Sequence, residues 1–216
     1  MSNTANESLD LSGNHQQLIA YLLDKMDILR SQAASIQAQP IGMMRVALNN
    51  QKNAAAGLFL HVWQPGLPLQ ETGGPFAHTH VFHLKSRVIK GSLKNINYEM
   101  VPNQHGSHNI VSGICKQEYC VLEKDTATDL ADMNITEIQE IHAGEVYDVP
   151  KGIFHKTVIE ENETVITLMQ KSEVEDASPL LAIPKKLPIS LASFDRNQLN
   201  QETAWERLIE LLKGIA

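Results

Sequence analysis

From residue 14 the chain reads NHQQLIAYLLDKMDILRSQAASIQAQ, and Leu18, Leu22, Met26 and Leu29 recur at spacings of four, four and three. Those positions share one face of an α-helix. Asn14 supplies an N-cap oxygen, and Pro40 and Gly42 close the segment. The spacing predicts a helix within residues 14 to 38. The rhythm changes after residue 43, where short runs rich in β-branched and aromatic residues follow one another: AGLFLHVW, VFHLKSRVIKGSLKNINYEMV, HNIVSGICKQEYCVLEK, MNITEIQEIHAGEVYDV, FHKTVIEE and ETVITLMQK. Turn-forming clusters such as QPGLPLQETGGP, PNQHGSHN and VPKG lie between them. Many short strands with no helical pattern among them predict an antiparallel sandwich or barrel. From about residue 172 three prolines predict an extended wrap. QETAWERLIELLKG then predicts a second helix with Trp205, Leu208, Ile209 and Leu212 on its apolar face and Gly214 as C-cap. The expected organisation is a tail and helix over 1–42, a β domain over 43–171, and a wrap plus helix over 172–216.

Composition narrows the class. The 216 residues are 43% hydrophobic and 20% charged, as in an ordinary globular protein. The net charge of −7 argues against a nucleic-acid partner, which calls for clustered Lys and Arg. No apolar run reaches the roughly 18 residues that span a bilayer. The polar start MSNTANESLDLSGN does not read as a secretory signal, so a cytoplasmic protein with a disordered tail is expected. Cys115 and Cys120 do not make a disulfide framework. Read on one strand they face opposite sides, and two reduced thiols are expected.

Histidine supplies the candidate chemistry. In GGPFAHTHVFHLKSRVIKGS, His78, His80 and His83 fall within six positions. Residues i and i+2 of a strand face one side with Cβ atoms roughly 6.5 to 7 Å apart, so His78 and His80 can converge on one ion at about 2.0 to 2.1 Å from each nitrogen. Strict alternation turns His83 outward; a bulge after His80 would turn it inward as a fourth ligand or acid–base group, and both placements stay open. Farther on, GEVYDVPKGIFHKTV places a flexible Gly144, then a turn at Pro150 and Gly152, then His155 at the head of the next strand.

These two stretches resemble the paired motifs of the cupin superfamily. The first motif has the form Gly, five residues, His-x-His, three or four residues, Glu, six residues, Gly; the second has Gly, five residues, Pro-x-Gly, two residues, His, three residues, Asn. The second matches at Gly144, Pro150, Gly152 and His155, and the first at His78, His80 and Gly91, over about half the chain. Thr72 stands at the first glycine position, Leu84 at the glutamate and Ile159 at the asparagine. The resemblance implies an all-β cupin jelly roll with an N-terminal and a C-terminal helix, and a divalent metal held by His78, His80 and His155. A three-His set without the glutamate is similar to that of cysteine dioxygenase and other thiol dioxygenases. It implies natively Fe(II), with Ni or Zn able to occupy the same imidazoles in a purified sample.

The reading is a mononuclear non-haem metal dioxygenase acting on a small polar molecule. The alternatives are a non-redox metal-dependent isomerase, epimerase or lyase, and a cupin that only binds a small ligand. Arg87 is a candidate for a substrate carboxylate, against an outward salt bridge. Tyr98 and Tyr147 are candidates to donate a hydrogen bond to substrate, against ordinary strand packing. His61 and Trp63 share a strand face and line either the pocket mouth or the core. His105, His108 and His142 are expected in solvent. A homodimer is expected from the terminal helices and sheet edges.

Overall fold

The structure is a computed structural model and describes residues 9–49, 57–67, 76–116, 118–122, 129–187 and 194–216. The element order is α1 (His15–Ser31), β1 (Gln37–Gln39), β2 (Met43–Ala47), β3 (Gly57–Trp63), β4 (Ala77–His78), β5 (His83–Lys90), β6 (Ser92–Pro102), β7 (His108–Cys115), β8 (Tyr119–Leu122), β9 (Asp129–His142), β10 (Val146–Val149), β11 (Phe154–Val158), β12 (Val165–Ser172), β13 (Leu180–Pro184), β14 (Phe194–Asp195) and α2 (Gln201–Lys213). Six strands form one sheet in the order β1-β2-β3-β12-β5-β10. Eight form a second, β13-β4-β11-β6-β9-β7-β8-β14. Pairing of β13 with β7 closes six of those eight into a ring. With antiparallel pairing throughout and a helix at each end, this is a jelly roll of the all-β class.

Period-two alternation sorts the first sheet's residues. Leu58, Leu60 and Val62 of β3, Ile89 of β5, and Ile166 and Leu168 of β12 pack in one cluster with Leu18, Leu22 and Met26 of α1 and Trp205, Leu208 and Leu212 of α2. Both helices therefore cover that sheet's outer face. The alternate residues Phe59, Leu84, Val88, Val165 and Met169 point the other way. They meet Leu93 of β6 and Ile141 of β9 from the second sheet. This second cluster is the core between the sheets. On its far side β4, β11 and β6 enclose a third, with Ala77, Phe154 and Tyr98.

Helix α1 begins as its cap predicts, with the Asn14 side chain accepting from the Gln17 N–H at 3.1 Å. It ends at Ser31, earlier than Pro40 suggested. The backbone beyond is taken by other partners: Ala34 C=O accepts from Trp205 Nε1, and Ile36 N–H donates to the Gln201 side chain. Helix α2 is capped by Asn200 and followed by Gly214. The cysteine expectation is corrected. Residues 116–118 separate β7 from β8, which makes Cys115 and Cys120 register partners across a hairpin, and Cys120 is disulfide-bonded. A reversal, and not one continuous strand, lies between them. Among the described residues no helix is long and apolar enough to cross a membrane.

Candidate metal centre

The second motif's turn is built by backbone. Gly152 has φ +77°, a left-handed value that glycine adopts without penalty. Its N–H donates to the His80 carbonyl at 2.9 Å. That bond joins the two motifs beside the pairing of β5 with β10. Immediately after it, β11 carries His155, whose register partner on β4 is His78. Thr79 faces the opposite way, its hydroxyl accepting from Leu180 N–H and its own N–H donating to Leu180 C=O. The alternation places His78 and His80 together, with ring centroids 4.9 Å apart. His155 lies 4.8 Å from His78 and 5.0 Å from His80 by the same measure. One ring nitrogen from each residue falls within 4.8 Å of the others. The group can hold a metal ion.

The donor chemistry fits a cation. His155 Nε2 is 2.9 Å from His80 Nε2. Two basic nitrogens at that distance need something positive between them: a proton, or a metal ion in its place. Burial lowers the pKa of all three imidazoles. For His80 the neighbouring His78, His155 and His61 lower it further, and for His155 His78 does. Neutral imidazole is the ligating form.

Two rings are oriented from behind. His78 Nδ1 lies 3.1 Å from the Phe76 carbonyl, which can only accept, so Nδ1 carries the proton and Nε2 is free. His155 Nδ1 lies 2.8 Å from Asn95 Oδ1. Asn95 Nδ2 donates to Asn97 Oδ1 at 3.0 Å, and Asn97 Nδ2 donates to Glu137 Oε2 at 2.8 Å. A carboxylate only accepts, so Glu137 sets the direction of both amides and fixes the His155 tautomer. Asn95 is fully buried. Sequence reading missed this relay. Its signal was the polar pair Asn95 and Asn97 alternating along β6 on the same face as buried Leu93.

The remaining candidates lie elsewhere. His83 Nε2 contacts Asp148 Oδ1 at 3.1 Å, half-exposed and outside the three-His group; alternation along β5 holds and no bulge turns it inward. Leu84, at the motif's glutamate position, is buried in the core between the sheets. Arg87 makes no ion pair among the described residues; its Nη1 donates instead to the carbonyls of Leu11 and Gly13 at 2.8 and 2.6 Å. It lies on the opposite side of β5 from Leu84 and Val88 and fastens the N-terminal segment. Tyr98 packs with Phe154, the residue on the other face of β11 from His155, and lines a groove of about 610 Å³ that none of the three histidines lines. Tyr147 is buried among Leu84, Val88 and Val149, and burial pushes its hydroxyl up to about 12 against the opposing effect of a Ser86 hydrogen bond. His61 is buried on the inner face of β3, with Trp63 edge-on at 5.9 Å. His105 and His142 are exposed; His108 begins β7 and contacts the Ser107 hydroxyl. The glycine position of the first motif, Thr72, lies outside the described residues.

Two motif turns on adjoining strands, a jelly roll around them, and one histidine cluster drawn from both motifs define the class: a cupin-type all-β jelly roll with a candidate metal centre of three histidines. No family model and no curated protein matches the chain. Solved structures similar to it include the DMSP lyase DddQ from Ruegeria pomeroyi, 12% identical over 74% of this chain and 67% of that one, TM-score 0.42. A cupin-like protein from Thermotoga maritima is 10% identical over 68% and 83%, TM-score 0.38. Hydroquinone 1,2-dioxygenase from Sphingomonas is 13% identical over 65% and 69%, TM-score 0.37. Of another DMSP lyase structure the chain spans 51%. None of these likenesses bears on which reaction the chain performs.

Proposed function

We propose that the protein is a mononuclear metal enzyme of the cupin class and acts as an Fe(II) dioxygenase on a small polar molecule. The observation that carries this reading is the donor set itself. Three neutral imidazoles converge, two of them with Nδ1 committed to oxygen acceptors, and Leu84 stands where a carboxylate ligand would be. A divalent ion held by three neutral donors keeps its full charge and has open positions for substrate and O₂. His78, His80 and His155 would hold it. Asn95 would keep His155 in its ligating tautomer. Phe82, stacked on His80 with centroids 4.8 Å apart, would shield one flank from water.

The test is anaerobic reconstitution of metal-free protein with Fe(II), Zn(II) or Ni(II), followed by O₂ uptake in the presence of a panel of small thiols and organic acids. Substrate-dependent O₂ consumption by the Fe(II) form alone, lost in His155→Ala, supports the reading. Turnover without O₂ by the Zn or Ni form would replace it with Lewis-acid isomerase or lyase chemistry. Binding of panel members without turnover in any metal form would leave a ligand-binding cupin.

A further inference from the structure

On the inner face of the first sheet, three polar residues from adjacent strands stand in one row. Arg45 on β2 is the register partner of His61 on β3, and His61 is the partner of Thr167 on β12. Thr167 is fully buried and His61 is 8% exposed. Thr167 Oγ1 and His61 Nε2 have no hydrogen-bond partner among the described residues. Buried polar atoms in a folded protein are nearly always paired, so two orphans side by side mark a place where something else supplies the partner.

Among the described residues, the charged groups placed beside that row are cations. Arg45 Cζ lies 4.8 Å from the centroid of Phe59, and Lys171 Nζ lies 5.6 Å from the same ring. Arg45 and Arg196 both donate to Gln37 Oε1, at 2.9 and 2.8 Å. Among the described residues the only ion pairs are His83–Asp148, Lys94–Glu160 and Lys151–Glu175, so none of these three cations has a carboxylate against it. Burial and mutual repulsion show in their acidities. Arg45 is lowered to about 9 by burial and by Arg196, and Lys171 is lowered by burial and by Arg45. His61 is lowered to about 3 by burial and by Arg45, which leaves it neutral.

The row adjoins the histidine cluster. Lys171 Nζ is 5.8 Å from the Phe82 ring, and Phe82 stacks on His80. His61 is near enough to His80 to affect its acidity.

We propose that this row is an anion subsite that holds the carboxylate of a short organic acid, with Arg45 supplying the charge and the Thr167 hydroxyl and His61 Nε2 the hydrogen bonds. A carboxylate matches the inventory: it has acceptor positions for a guanidinium N–H, a hydroxyl and an imidazole N–H at once. Lys171 closes the field from β12. The inference rests on the metal-enzyme reading for its meaning, since the acid's other end would then face the three histidines. It would make the substrate a short carboxylic acid.

The experiment is calorimetric titration of the 216-residue chain, metal-free and metal-loaded, with propionate, its uncharged analogue propionamide, and inorganic phosphate. Propionate should bind saturably, propionamide should not, and phosphate should bind more weakly than propionate. Arg45→Gln should weaken propionate about tenfold or more, the scale of a lost charge-assisted hydrogen bond. Thr167→Val, which keeps side-chain volume, should weaken it by a smaller factor while metal uptake stays unchanged. Equal binding of propionate and propionamide, tighter binding of phosphate, or unaltered propionate affinity in Arg45→Gln with native circular dichroism would overturn the assignment. Metal-free protein reports on this subsite even if the three histidines bind no ion, so the two readings fail separately.

Discussion

Asn95 is the residue on which the histidine geometry turns. Its Oδ1 faces His155 Nδ1 at 2.8 Å and its amide continues to Asn97 and Glu137. Replacing it by leucine leaves His155 free to rotate or change tautomer. Losses behind a metal ligand run to about 10- to 100-fold in metal affinity. We expect Asn95→Leu to weaken Zn(II) or Fe(II) binding by that order in a chelator competition titration, with the fold intact by circular dichroism. An unchanged affinity would show that the relay does not orient the ligand. His61 supports a second prediction. Its folded pKa of about 3 lies below the unfolded value near 6.5. Below pH 6.5 the unfolded chain takes up a proton that the folded chain refuses, so stability is full above 6.5 and falls as pH drops toward 3. The slope is about 1.4 kcal/mol per pH unit for each such histidine, and the cluster histidines shift in the same direction. Urea unfolding between pH 7.5 and 4.5 reads it directly; a flat profile would contradict the buried neutral histidines. His78, His80 and His155 were legible in the sequence because motif spacing places them. Arg87 was not: its carbonyl acceptors are about 75 residues away in sequence, and no local pattern announces such a partner.

At the scale of elements, two motif glycines separate conformational cost from steric cost. Gly91 and Gly152 both have φ +77°, and placing an L side chain there costs about 1–2 kcal/mol. A Cβ on Gly152 meets nothing within 4 Å, whereas one on Gly91 would lie 2.6 Å from the Thr164 carbonyl oxygen. Gly91→Ala should therefore destabilise the chain distinctly more than Gly152→Ala in denaturant titration; equal losses would mean the β5–β6 turn yields. Strands β3, β5, β6, β11 and β12 follow from the runs of β-branched and aromatic residues set between turn-forming clusters in the sequence. The two-residue strands β4 and β14 and the three-residue β1 do not, because they exist only through pairing with distant partners such as β11, β8 and β2. The hairpin that pairs Cys115 with Cys120 escaped for a related reason: Lys116, Gln117 and Glu118 carry no glycine or proline to announce the reversal. Asn95 and Asn97 run against the usual hydrophobic-inside pattern. They are legible only once the strand face toward the histidines is known to be polar.

For the molecule as a whole, both terminal helices seal the outer face of the sheet whose inner face looks toward the histidines. Leu208 in α2 is fully buried there, and truncation at such a site costs about 2–5 kcal/mol. Leu208→Ala should lower stability by that order while sparing metal affinity, because α2 touches the far side of the sheet. A parallel loss of metal would show that the helices help shape the site. The jelly roll holds two distant stretches of chain in register, and the histidines are the chemical result of that register. The most direct measurement of this account is the metal content of freshly purified protein by mass spectrometry, set beside His155→Ala. One divalent ion per chain is expected in the parent and essentially none in a folded variant. A folded parent that takes up no divalent metal on reconstitution, or a variant that keeps full occupancy, would contradict it.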